Sequence, residues 1–294
     1  MIDVSAEVRE ALEAGRAVVA LETTLVAHGF PRGEGLEVAL EAERRVRENG
    51  AIPATIGVID GAIRVGLAEG DLHRFGEAGA AARKVGPRDL AACIARGELG
   101  ATTVGGTLAV CEALTIRFLG TGGIGGVHRG FAERPDVSAD LGALARTQTL
   151  VVSSGIKSLL DVGATVEVLE TLAVPVAGWR TDTLPMFYDA AGGPELPLRF
   201  DDPVEAARVA REHWELGLGG LLVAQAPAES VAVEPLLGEA LAAASAAGIR
   251  GQAVTPFVLA QLHERSGGET VRVNKRLIAD NAALAAEIAV AYAR

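Results

Sequence analysis

What this chain has little of narrows its possibilities first. Among 294 residues there are two cysteines, Cys93 and Cys111. Both fall in apolar, helix-like stretches, where a free cysteine acts as a small buried hydrophobe. Neither a disulfide framework nor a cysteine metal site is expected, and such usage fits a reducing cytoplasm. Positive charge is also in deficit: 27 Lys and Arg against 38 Asp and Glu leave a net charge of −11. Nucleic-acid binding leaves a basic stripe as its footprint, whereas the pair Arg44-Arg45 here stands beside Glu41 and Glu43 and reads as a solvated helix face. No apolar run reaches the ~18 residues of a membrane span. The opening MIDVSAEVREALEAG is an acidic amphipathic pattern, not a signal peptide. Aromatics make up 4% while the apolar total is 49%, so the expected core is aliphatic and disorder is excluded.

Lysine is the most informative scarcity. Of the 27 basic residues, three are lysine: Lys84, Lys157 and Lys275. Arginine supplies surface charge equally well, but its guanidinium does not give up a proton. A lysine kept against that bias is therefore a candidate for amine chemistry or for a compact point charge. Lys275, next to Arg276, reads as ordinary surface. Lys84 and Lys157 have less ordinary neighbours.

Along the chain, helix patterns alternate with short aliphatic strands. Strands are expected at 17–21, 54–59, 62–65, 116–119, 150–152, 174–177 and 220–223. Helices are expected at 5–14, 36–48, 87–95, 103–114, 139–145, 164–172, 203–215 and 233–247, after which the C-terminal third becomes mostly helical, ending in 281–292. The dipeptide Asp60-Gly61 is a strong hairpin signal, so part of the sheet is antiparallel. Such alternation implies an α/β layer fold. With no linker and no internal repeat, residues 1–294 read as one domain.

Several segments carry chemistry. Gly120-Thr121-Gly122-Gly123-Ile124-Gly125-Gly126-Val127-His128-Arg129-Gly130 follows a strand. Its GxGxxG spacing invites a dinucleotide site, but poor helix sequence follows the third glycine, against that reading. An anion cradle of backbone N–H groups, helped by His128 and a bidentate Arg129, is preferred over a tight structural loop. Lys157, in a small-residue turn after a strand, is placed where α/β sheets bind ligands. Desolvation there would free its amine to attack a carbonyl; the alternative is a surface lysine opening the next helix. Glu22 ends the first buried strand and reads either as a proton donor whose pKa burial raises or as a salt-bridged strand end. Arg83 to Asp89, with Lys84, reads as a basic loop before a helix N-terminus, either a second phosphate contact or an exposed turn. Ser138 reads as an N-cap, and Asp140 as a ligand for a hard cation such as magnesium or manganese.

Together the segments ALETTLVAHGFP (20–31), NGAIPATIGVIDG (49–61), KVGPRDL (84–90), GATTV (100–104), TGGIGGVHRG (121–130), DVSADL (136–141), GIKSLLD (155–161) and TPF (255–257) resemble the pseudouridine-5′-phosphate glycosidase family, also called indigoidine synthase A-like, over essentially the whole chain. The resemblance implies a three-layer α-β-α sandwich with a mixed, mostly parallel central sheet. It implies reversible cleavage of pseudouridine 5′-phosphate to uracil and ribose 5-phosphate. Lys157 would carry the ring-opened sugar as an imine, and Glu22 would move protons. Lys84 and His128 would hold the phosphate. Asp140 would bind Mn2+, and Ser138, Thr103 and Val104 would line the substrate region. Asn281 would meet the uracil. The assembly would be a homotrimer. Trp179-Arg180 departs from the family pattern and leaves room for another base. Two rival readings keep some of these residues: another imine-forming lyase acting on a sugar phosphate, and a nucleotide-binding protein without catalysis.

Overall fold

The computed structural model describes residues 2–31, 33–133 and 135–294. Its strands are β1 (Ile2–Val4), β2 (Val18–Glu22), β3 (Ile52–Ile59), β4 (Ala62–Val65), β5 (Arg83–Val85), β6 (Gly100–Thr102), β7 (Phe118–Gly120), β8 (Val127–His128), β9 (Leu150–Ser153), β10 (Leu160–Asp161), β11 (Val176–Trp179), β12 (Leu198–Phe200) and β13 (Leu221–Gln225). Eleven of them form one sheet with the path β1-β4-β3-β2-β7-β9-β13-β11-β12, while β6 pairs with β3 and carries β5. Pairing is parallel except where β3 meets β4 and β6. The β3–β4 hairpin turns at Asp60 and Gly61, both with positive φ (51° and 76°). That is the backbone an Asp-Gly turn accommodates best.

Helices cover both faces, giving the three-layer sandwich expected. The long helix Glu269–Ala293 packs on β2, β7 and β9 and against the helices Glu34–Glu48 and Pro203–Glu215. Its small residues permit close approach: a Cβ on Gly120 would stand 3.0 Å from the Ala282 Cα. The helices Val104–Leu114 and Ala139–Arg146 pack together, the first of them against β2 and β3. The core is aliphatic, built from buried residues such as Ile56, Leu72, Leu108, Leu119 and Leu144. Each such side chain contributes about 1.5–3 kcal/mol on leaving water.

One expectation is corrected, and two are made more definite. Residues 83–85 are an edge strand, and a single 3₁₀ turn (Pro87–Asp89) precedes the α-helix Leu90–Ala95. Lys157 does not open a helix, since the next one starts at Val162. The C-terminal third is mostly helical, as expected, in the helices Val254–Arg265 and Glu269–Ala293.

One detail of register makes a crevice. Strand β2 pairs with β3 up to Glu22 opposite Ile56 and stops. From Gly57 onward β3 pairs with β6 instead. Thr23 and Thr102 seal the changeover, both donating their hydroxyls to the Ile56 carbonyl (2.8 and 2.7 Å). Glu22 thus ends its strand facing the segment where β6 brings in β5 and Lys84.

Candidate active site

A cavity of about 260 Å3 opens at this point. Its wall includes Glu22, Lys84, Thr103, Thr121, His128, Ser138, Asp140 and Lys157. Most of the residues singled out in the sequence therefore converge.

Glu22 is 5% exposed and accepts a hydrogen bond from the Thr121 hydroxyl at 2.5 Å. Burial holds its carboxyl above the usual carboxylate range, although Lys157 and the Thr121 hydrogen bond pull the other way. A shift in that direction favours the protonated form that a general acid needs. Lys157 is half-buried, not fully desolvated. Its backbone N–H donates to the Ile124 carbonyl at 3.2 Å, and Ile124 and Ile156 form an isolated parallel bridge. The glycine-rich loop after β7 therefore fixes the height at which Lys157 leaves the loop after β9.

Much of that loop is already engaged with the protein. The N–H groups of Thr121, Ile124, Gly125, Val127 and His128 already have protein acceptors. Its glycines are required by neighbours: a Cβ on Gly125 would lie 2.2 Å from Ser138 Oγ, and one on Gly126 2.4 Å from Thr165 Oγ1. Basic side chains also line the cavity. Burial, reinforced by the Lys157 ammonium, lowers the pKa of Lys84. His128, on β8, lines the cavity, and burial lowers its pKa, against the pull of Asp136 and with that of Lys84. His28, which sequence reasoning passed over, also lines the cavity, with its buried Nε2 lacking a hydrogen-bond partner among the described residues. Burial and Lys84 lower its pKa too.

Arg129 points elsewhere. Its guanidinium donates to the carbonyls of Ser158 (3.1 Å) and Leu160 (3.3 Å) and pairs with Glu234. It braces the loop bearing Lys157 and does not line the cavity.

Ser138 caps its helix, accepting from the Asp140 N–H at 3.2 Å. Asp140 is buried, and its two oxygens accept the N–H groups of Gly105 (2.8 Å) and Gly125 (2.9 Å). It clamps the start of the helix Val104–Leu114 to the glycine-rich loop. Asp136, a half-buried carboxylate on the cavity wall, was missed. No group of three or more His, Cys, Asp or Glu residues able to hold a metal ion occurs among the described residues.

Thr103 lines the cavity and caps its helix, but Val104 is 1% exposed and packed in the core. Asn281 is fully buried, and its amide donates to the Thr121 carbonyl (2.8 Å) and Ser154 Oγ (3.1 Å). It braces the loop from behind. Two turns earlier on the same helix, Asn274 lines the cavity, its buried Oδ1 without a partner among the described residues. Trp179 and Arg180 stack on each other, the guanidinium 5.0 Å from the ring centroid, and neither is on the cavity wall.

Residues 7–291 match the family described as indigoidine synthase A like protein. A protein of Cupriavidus pinatubonensis named pseudouridine-5′-phosphate glycosidase is 47% identical over 100% of this chain and 95% of its own length. One of the same name from Hahella chejuensis is 43% identical over 99% and 98%. The crystal structure of the prealnumycin C-glycosynthase AlnA in complex with ribulose 5-phosphate superposes with a TM-score of 0.90 at 38% identity, covering 100% of this chain and 97% of that one. On the strength of that full-length match, this chain belongs to the indigoidine synthase A like family.

Proposed function

We propose that the protein reversibly cleaves the carbon–carbon glycosidic bond of pseudouridine 5′-phosphate, giving uracil and ribose 5-phosphate. The observation that carries this reading is one cavity lined by a lysine amine (Lys157), a buried carboxyl (Glu22) and a second lysine placed to meet a phosphate (Lys84). The names of the relatives and the sugar phosphate bound by AlnA support it.

Carbon is a poor leaving group, so the sugar fragment needs somewhere to place electrons. The Lys157 amine adds at C1′ while Glu22 gives its proton to the ring oxygen, and the C1′–O bond opens. The nitrogen now bonded to C1′ returns a proton to Glu22, which passes it to the uracil carbon that bears the sugar, and the C1′–C bond can then break. The nitrogen lone pair forms C1′=N, and the bond's electrons return to the pyrimidine. Water hydrolyses the imine, releasing ribose 5-phosphate and restoring the amine. Lys84, with His128 beside it, anchors the phosphate, so binding energy from a non-reacting group orients the reacting carbon. The free carbonyl of Asn274 suits a pyrimidine N–H. Borohydride added to protein and ribose 5-phosphate tests the imine, and a reduced adduct on Lys157 is expected. An unmodified Lys157, with the sugar phosphate bound, would overturn the mechanism.

The reading includes a divalent cation, with manganese as first choice, in a cytoplasmic homotrimer. Asp140, whose oxygens each keep a lone pair beyond the one N–H they accept, and Asp136 on the same cavity wall would hold the cation, with water completing the shell as hard cations permit. When bound, the cation would supply positive charge to substrate oxygens. Asp136→Ala is expected to remove the Mn2+ site, read by paramagnetic resonance titration, with little change in Tm. Asp140→Ala is expected to cost roughly 1–3 kcal/mol for each amide left unpaired, read by thermal unfolding with or without cation. Unchanged Mn2+ affinity in Asp136→Ala, with affinity lost in a folded Asp140→Ala, would leave Asp140 as the sole protein ligand.

A further inference from the structure

Lys157, Leu160 and His128 all stand on the cavity wall, and one short piece of structure holds them together. Strands β8 and β10 form an antiparallel ribbon separate from the main sheet, with His128 opposite Leu160 and Val127 opposite Asp161. The Leu160 N–H donates to the Lys157 carbonyl at 3.0 Å. A single tight turn therefore separates Lys157 from the residue that faces His128.

Arg129 fastens that turn. It follows His128 directly, and its guanidinium donates to the carbonyls of Leu160 (Nε, 3.3 Å) and Ser158 (3.1 Å). A planar fork of donors suits two carbonyls at once, which a lysine ammonium on a flexible stem does not. The pair with Glu234 is a weaker tie, because the Glu234 side chain is 71% exposed and such pairs hold little. The far end of the ribbon is fixed independently. The Val127 N–H donates to Thr165 Oγ1 (2.9 Å), and the Thr165 hydroxyl donates to the Asp161 carbonyl (2.6 Å). On the other side of β8, the His128 N–H donates to the Asp136 carbonyl at 2.9 Å. Tied at both ends, the ribbon is a strut between His128 and Lys157.

Resting on the function proposed above, in which His128 helps to anchor the phosphate, we infer that this ribbon is a ruler for the length of the sugar phosphate and that Arg129 is the positioning residue that sets it. In an open-chain aldose phosphate the carbon attacked by the amine is at one end and the phosphate at the other. The separation of anchor and amine therefore selects the number of carbons between them. A C–C bond is about 1.5 Å long, and a misplacement of about 1 Å can cost on the order of 10² in rate. One carbon more or less is thus enough to spoil the attack, provided that the strut is stiff. Arg129 makes it stiff from behind, without touching the sugar.

The test is the rate of borohydride trapping at Lys157 with ribose 5-phosphate, erythrose 4-phosphate and glucose 6-phosphate. Each rate is divided by that of a free lysine analogue with the same sugar, so that differences in open-chain content cancel. Wild type is expected to favour the five-carbon sugar roughly tenfold or more. Arg129→Lys keeps the charge and loses the fork. It is expected to slow trapping of ribose 5-phosphate by about 10- to 100-fold and to leave the four-carbon sugar little changed, so that the preference collapses. Glu234→Gln removes only the surface pair and is expected to change none of the rates. A wild type that traps the three sugars equally overturns the inference before any variant is made. An Arg129→Lys protein in which all three slow by the same factor also overturns it, since that is the mark of a merely structural brace, and so does one in which none slows. No adduct with any of the sugars overturns the functional reading, and the inference with it, whereas adducts without the length preference overturn the inference alone.

Discussion

Lys157→Ala is expected to abolish turnover, with a fall in kcat on the order of 10³–10⁶, as for removal of a covalent nucleophile elsewhere. No other residue in the cavity replaces the amine. Lys84 is held on a different edge of the crevice, on β5, and arginine cannot form an imine at neutral pH. The fold should survive, because the anchors of the 155–160 loop are backbone groups and Arg129, all retained in the variant. Circular dichroism and thermal unfolding check that point, and kcat in either direction checks the first. Activity within tenfold of wild type would rule out covalent catalysis by Lys157.

Glu22→Gln should lower kcat by about 10²–10⁴, the usual worth of general acid–base catalysis, while making the protein more stable above the ordinary carboxylate range. Burial raises the folded-state pKa of Glu22. The folded state therefore keeps a proton that the unfolded state releases, and stability falls as pH climbs from the unfolded pKa through the folded one. Glutamine removes that loss and can still accept from the Thr121 hydroxyl. Each kcal/mol regained would raise Tm by about 2–4 °C. In wild type the same group predicts a decline in kcat as pH rises through the Glu22 pKa, and Glu22→Gln should flatten that limb. A variant with unaltered pH profile and unaltered Tm at neutral pH would show that Glu22 is an ordinary strand end.

The parts of the site visible in the sequence were those whose residue type is its own signal. Lysine scarcity pointed to Lys84 and Lys157, and a carboxylate closing an aliphatic run pointed to Glu22. What stayed hidden depended on direction. His128 and Arg129 are adjacent, yet neighbouring residues in extended chain point to opposite sides. With His128 in the cavity, Arg129 had to face the other way. Asn274 and Asn281 lie on one face of a helix, two turns and about 10 Å apart along its axis. Periodicity cannot say which one reaches the cavity and which braces the loop. Short strands such as β5, β6 and β12 have three residues each, too few to display alternation. The β3 hairpin, by contrast, was legible because an Asp-Gly turn demands a particular backbone.

The glycine-rich loop teaches a similar lesson. Its composition suggested amides waiting for an anion, but five of those amides serve the protein itself, and the absent side chains make room for Ser138, Thr165 and Phe187. The loop is a spacer that sets Lys157, Asp140 and Phe187 around one cavity.

The most direct test of the proposed reaction is to incubate the protein with uracil, ribose 5-phosphate and Mn2+ and to analyse the products by chromatography and mass. The account predicts a C-nucleotide that resists acid and base and disappears when Lys157→Ala replaces wild type. Folded, Mn2+-loaded protein that forms no such product, yet yields a borohydride adduct with other sugar phosphates, would contradict it.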